Sequence, residues 1–118
     1  MSDGRRLAQP AKPDHLAYMY GKLSEAIGIL ITNHGEVKNR VWLASPQIFS
    51  VQASGVPESL HSDIQWIQAQ MTRFPADDIY QTALRATYQR TRNVTAGRIA
   101  TRLWKLYHKM QSELENRK

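Results

Sequence analysis

The sequence predicts an all-α fold, a small irregular antiparallel helical bundle of four main helices plus one or two short helices. Three observations predict it. Apolar residues recur at alternating spacings of three and four, the period of one helix face, in segments led by Leu16, Leu60 and Ala96. Alternating strand patterns closed by hairpin turns are absent, apart from an ambiguous stretch at Ile48 to Val51. Breakers at Asn33-His34-Gly35 and Ser54-Gly55-Val56-Pro57 cut the chain into helix-length pieces. At 118 residues, 42% of them hydrophobic, the chain is large enough for one packed core and too small for two. Residues 1–12, rich in Gly, Pro, Ala and charge without period, read as a flexible N-terminal tail, and residues 13–118 as a single helical domain.

Pro13 and Asp14 offer the first helix start, and Leu16, Tyr20, Leu23, Ile27 and Leu30 form its stripe, widened by Met19 and Ala26. Gly35 suits the left-handed position that ends it. Glu36 to Ala44 reads as a short second helix, with Val37, Val41 and Ala44 on one side. Ser45-Pro46 interrupts it, with Ser45 the expected N-cap of another short helix through Val51, unless Ile48 to Val51 is extended. After the Ser54 to Pro57 breaker, Leu60, Ile64, Ile67 and Met71 predict a helix from about Pro57 to Arg73. Pro75 opens the next, with Asp77 and Asp78 in its first turn at the positive end of the dipole and Ile79, Ala83 and Ala86 on its apolar side. The frame breaks between Arg90 and Thr95 and resumes as Ala96, Ile99, Leu103, Leu106, Met110 and Leu114, with Asn93 or Thr95 as cap.

Several function classes are excluded or disfavoured. The chain has no cysteine, so disulfides and thiolate metal sites are excluded, and a cytoplasmic location is expected. The longest apolar run, Ala26 to Ile31, falls far short of the roughly 20 residues a membrane span needs. No secretory signal is expected in the N-terminal residues, since Arg5 and Arg6 precede no uninterrupted apolar region. His15, His34, His61 and His108 are far apart and none has a second ligand at helical spacing, so neither metal nor other cofactor is expected. His61, Ser62 and Asp63 carry the letters of a triad, but adjacent helical residues diverge, and an exposed first turn is the expected reading. No glycine-rich phosphate loop exists, and no catalytic residues are assigned.

Charge is the informative property. The formal net charge is +6, yet Ile79 to Ser112 holds Arg85, Arg90, Arg92, Arg98, Arg102, Lys105 and Lys109 and not one acid, while the remainder is nearly neutral. On the last helix Arg98, Arg102, Lys105 and Lys109 are spaced four, three and four apart, so they share a narrow sector away from the apolar stripe. A solvated helix face usually mixes acids with bases to gain pairs at that spacing, and like charges there repel. An unmixed row is the pattern that tracks phosphates on a nucleic-acid backbone, RNA or DNA, with little sequence specificity. The reading is therefore a non-enzymatic basic protein that binds nucleic acid through these seven residues as a small subunit of a larger assembly. A helix-turn-helix built on Asp77 to Gln89 and Thr95 onward fits poorly, because Arg90 to Val94 is too long a turn and lacks glycine.

The alternative is an adaptor or inhibitor, of the kind found among small phage and mobile-element proteins, that docks on an acidic protein surface. Trp42 and Trp66, each just off its helix's main stripe, are the expected protein-interface anchors, and a homo-oligomer would use the same position. Trp104 and Tyr107 fall where a bundle core would want them. A third reading starts from Arg102-Leu-Trp-Lys-Leu-Tyr-His108. These seven residues resemble the Arg-x4-6-His signature of HEPN ribonucleases, and the resemblance implies an all-α dimer that cuts RNA with Arg102 and His108 across its interface. Leu103 departs from the signature, which usually has a polar residue after the arginine.

Overall fold

Residues 15–117 are described by a computed structural model, and they are helical with no strand. The helices are α1 (Leu16–Thr32), α2 (Val37–Leu43), α3 (Ser45–Ser50), α4 (His61–Met71), α5 (Ala83–Arg90) and α6 (Asn93–Glu115), with 3-10 turns at Ala53–Gly55 and Glu58–Leu60. The expected tail, Pro13 and Asp14 lie outside the described residues. Among the described residues no helix is long and apolar enough to cross a membrane.

The spine is α6. Its buried row, Ala96, Ile99, Leu103, Leu106 and Met110, repeats at three and four, as an amphipathic helix requires. Against it pack α1, α2 and α4. Tyr20, early in α1, bonds Tyr107 far along α6, whereas Lys38, beyond the end of α1, bonds Asn93 at the start of α6. The first and last helices are therefore antiparallel. By the same reasoning α4 runs antiparallel to α6, since Ser59 just before it reaches Glu113 and Trp66 lies under Arg102.

Local chemistry closes each junction. Beyond α1, Gly35 adopts φ 101°, which side-chain-bearing residues avoid, and Arg40 of α2 donates to the Leu30 and Gly35 carbonyls, satisfying groups the ended helix leaves open. The Ile48 to Val51 alternative resolves as helix through Ser50, with Val51 extended behind it. Gln68 of α4 then donates to the Ile48 and Val51 carbonyls, tying the end of α3 to α4.

Four expectations are corrected. Ser45 is the first residue of α3, and Ala44 is its cap. No helix starts at Pro75: residues 72–82 are irregular, the Asp77 amide donating to the Tyr80 carbonyl in a turn that the Asp77 carboxylate closes by accepting the Ile79 and Tyr80 amides. Ile79 is consequently 77% exposed rather than on an apolar face, and α5 begins only at Ala83, where Thr82 accepts the Arg85 amide as N-cap. The break before the last helix is just Thr91 and Arg92, and neither Asn93 nor Thr95 caps α6; Arg92 occupies that position, and the Asn93 side chain serves Lys38. Trp104 is 48% exposed, packed on Tyr107 and His108 at the surface rather than in the core.

Because Leu103 is 1% exposed at the centre of the α6 row, Leu103→Ala is expected to lower stability by about 3 kcal/mol in urea unfolding. Val94→Ala on the exposed side is expected to change it by less than about 0.5 kcal/mol.

Candidate functional site

Asp63 organises the charged side of α6. It sits in the first turn of α4 on the same stripe as Leu60 and Ile67, and only 3% of it is exposed. A buried carboxylate needs partners. It finds two: Arg102 Nε donates to Oδ1 at 2.7 Å and Lys109 Nζ donates to Oδ2 at 2.7 Å. The expectation that no acid meets the basic row is thus corrected for two of its four members, and the expectation of an exposed first turn fails at Asp63. Burial by itself would raise this carboxyl, but the hydrogen bonds from Lys109 and Arg102, with their charges, outweigh it and hold the group below the ordinary aspartate value of 3.8.

Arg102 is held twice. Its guanidinium carbon lies 4.6 Å from the centroid of the Trp66 ring, a cation–π contact. Asp63 takes only its Nε, so among the described residues its two terminal nitrogens have no hydrogen-bond acceptor. The side chain keeps 35% of its surface exposed.

Arg98 and Lys105 are exposed and, among the described residues, have no acidic partner. With Arg102 and Trp66 they line an open groove of about 610 Å3, completed by Val94, Gly97 and Thr101. No acidic residue lines it.

The other basic residues are dispersed. Arg90 pairs with Asp77 at 3.3 Å and lies over the Phe74 ring, so it serves the irregular segment. Arg85 is exposed beside a second groove, of about 400 Å3, that includes Trp42, Leu43, Leu84 and Tyr88. Arg92 is exposed at the head of α6. The row therefore does not extend as one surface through all seven.

The two tryptophans differ in role. Trp42 is half-buried and its Nε1 donates to the Leu84 carbonyl, anchoring α5 to α2. Trp66 forms part of the basic groove. Within one chain Arg102 and His108 do not converge: Arg102 faces Asp63 and Trp66 on α4, whereas His108 meets Trp104 edge-on at 4.3 Å and Tyr107 beyond it. His61 is bonded to the Val56 carbonyl, away from the Asp63 pairing. Among the described residues no three His, Asp or Glu side chains gather as a metal site.

Sequence reasoning placed Asp63 in an exposed first turn and passed over Gly97 and Thr101. The signal for Asp63 was available, since a carboxylate three residues from Leu60 and four from Ile67 falls inside the apolar stripe. The two small residues carry no signal of their own until Trp66 is placed opposite them.

No family model, no curated protein and no solved structure matches this chain.

The Asp63 carboxyl is lower in the folded than in the unfolded chain, so its stabilisation is complete above the unfolded value and is lost as pH falls through the folded one. The thermal midpoint is expected to drop as pH is lowered from about 5 toward about 2. In Asp63→Asn the drop is shallower, and at neutral pH that variant is about 1–3 kcal/mol less stable, as measured by calorimetry across the pH range.

Proposed function

We propose that the protein is a non-enzymatic nucleic-acid-binding subunit that holds the phosphate backbone along the exposed side of α6, with little sequence specificity. The observation that carries this reading is the open groove that Arg98, Arg102 and Lys105 line beside Trp66 without an acid in its lining. A concave surface of one sign raises the local concentration of a polyanion and guides its approach. Each phosphate neutralised releases condensed counterions, which supplies affinity without base contacts. The Asp63 pairing reduces the field but leaves the Arg102 terminal nitrogens for phosphate oxygens, which a guanidinium binds through two parallel hydrogen bonds. The remaining cations, Arg85, Arg92 and Lys109, contribute at longer range, and Arg90 contributes less because Asp77 neutralises it.

A second reading, docking on an acidic protein surface, is supported by the groove beside Trp42, where Leu43 is 55% exposed and Arg85 lies at the edge. Under that reading oligonucleotides do not bind at low salt, and Leu43→Glu releases a co-purifying protein.

The deciding measurement is a titration of labelled single-stranded RNA, single-stranded DNA and duplex DNA at about 50 mM and about 200 mM salt. Arg98→Ala and Lys105→Ala are each expected to weaken binding about three- to tenfold and to reduce the slope of log K against log salt by about 0.7–0.9. Binding that is insensitive to both substitutions, or no binding at the lower salt, overturns the proposal.

A further inference from the structure

The groove combines two features that a surface for phosphates alone does not need. The first is an arginine held over an aromatic ring. Arg102 is gripped at its Nε by Asp63, 2.7 Å away, and lies over Trp66, whereas a free arginine on a helix face samples many rotamers. The second is room beside it. Gly97 has open space where a side chain would stand, with nothing within 4 Å of a Cβ built there, and Thr101 is short. Arg98 and Lys105 lie on either side of Arg102 along α6, separated by about 10 Å of helix rise.

We infer that the groove takes single-stranded nucleic acid, with one unpaired base stacking against the Arg102–Trp66 pair while the phosphates on either side of it meet Arg98 and Lys105. This rests on the nucleic-acid reading above and narrows it. Unpaired bases stack on aromatic rings and on arginine planes whatever their identity, because every base has a π-face. In a duplex those faces are covered by neighbouring base pairs, so a duplex offers this groove only its phosphates. Asp63 acts as a positioning residue: it touches no nucleotide, and it immobilises the guanidinium before binding, which lowers the ordering entropy charged to the complex. The partly buried Trp66 thereby has a role beside its packing on the core.

Three probes of equal phosphate number separate the inference from the reading beneath it: oligo(dT), an abasic deoxyribose-phosphate oligomer and a duplex, each titrated at the same low salt against the full chain. The abasic oligomer is expected to bind about tenfold more weakly than oligo(dT), and the duplex also more weakly. Trp66→Leu is expected to weaken oligo(dT) about five- to tenfold and the abasic oligomer by distinctly less. Equal binding of oligo(dT) and the abasic oligomer overturns the stacking inference and leaves backbone binding intact. Equal loss on both probes in Trp66→Leu does the same. Failure of all three probes to bind overturns both. The abasic comparison needs no variant, so it stands even if Trp66→Leu does not fold.

Discussion

The buried row of α6 is the constraint on which this structure depends. Ala96, Ile99, Leu103, Leu106 and Met110 present a continuous apolar strip; α1 and α4 lie against it with buried strips of their own, and α2 adds Val41. Burying those strips is the main favourable term in the fold. It has a consequence for the other side of α6. Residues one or two positions away from the strip must face outward or toward the margin, so Arg98, Arg102, Lys105 and Lys109 are carried to the edge where α4 runs alongside. The charged surface is thus positioned by the same packing that forms the core.

At that edge hydrophobic burial and electrostatics meet in Asp63. Placing a carboxylate on the apolar stripe of α4 is costly in isolation, and two hydrogen-bonded cations offset the cost. The arrangement also gives α4 a specific register against α6, since Arg102 and Lys109, seven residues apart, bind the two oxygens of one carboxylate. A purely apolar contact between the helices would tolerate sliding that this pairing does not. The same pairing leaves a partly exposed guanidinium in a fixed place over Trp66, so a structural bond and a candidate ligand contact share one side chain.

Away from the spine the chain relies on polar anchors. No residue of 72–82 is fully buried, and their course is set by Asp77 gathering two amides and by Thr87, whose hydroxyl accepts the Phe74 amide. Trp42 joins α5 to α2 through the Leu84 carbonyl and its contact with Tyr88. Arg90 is drawn into this region by Asp77, which is why the cations before α6 do not continue its row.

The sequence by itself determined the helical class, the three strongest helices and the side of α6 that carries charge, because periodicity at three and four residues is a local property of the chain. It also marked Gly35, whose positive φ is a backbone requirement of that one residue. Where local signals competed, it misled: Pro75, Asp77 and Asp78 have the composition of a helix start, but the Asp77 amide bonds the Tyr80 carbonyl, which closes a turn and takes an acceptor that a helix would use further on. The exposure of Trp104 was equally hidden, since an aromatic beside a stripe reads the same whether a neighbouring helix covers it or not. Only the tertiary structure decided that Asp63 meets Arg102 and Lys109, 39 and 46 residues away, and that Trp66 faces Gly97 and Arg98 across a groove. Those pairings depend on how α4 lies against α6, which follows from the fit of two apolar surfaces and not from the spacing within either one.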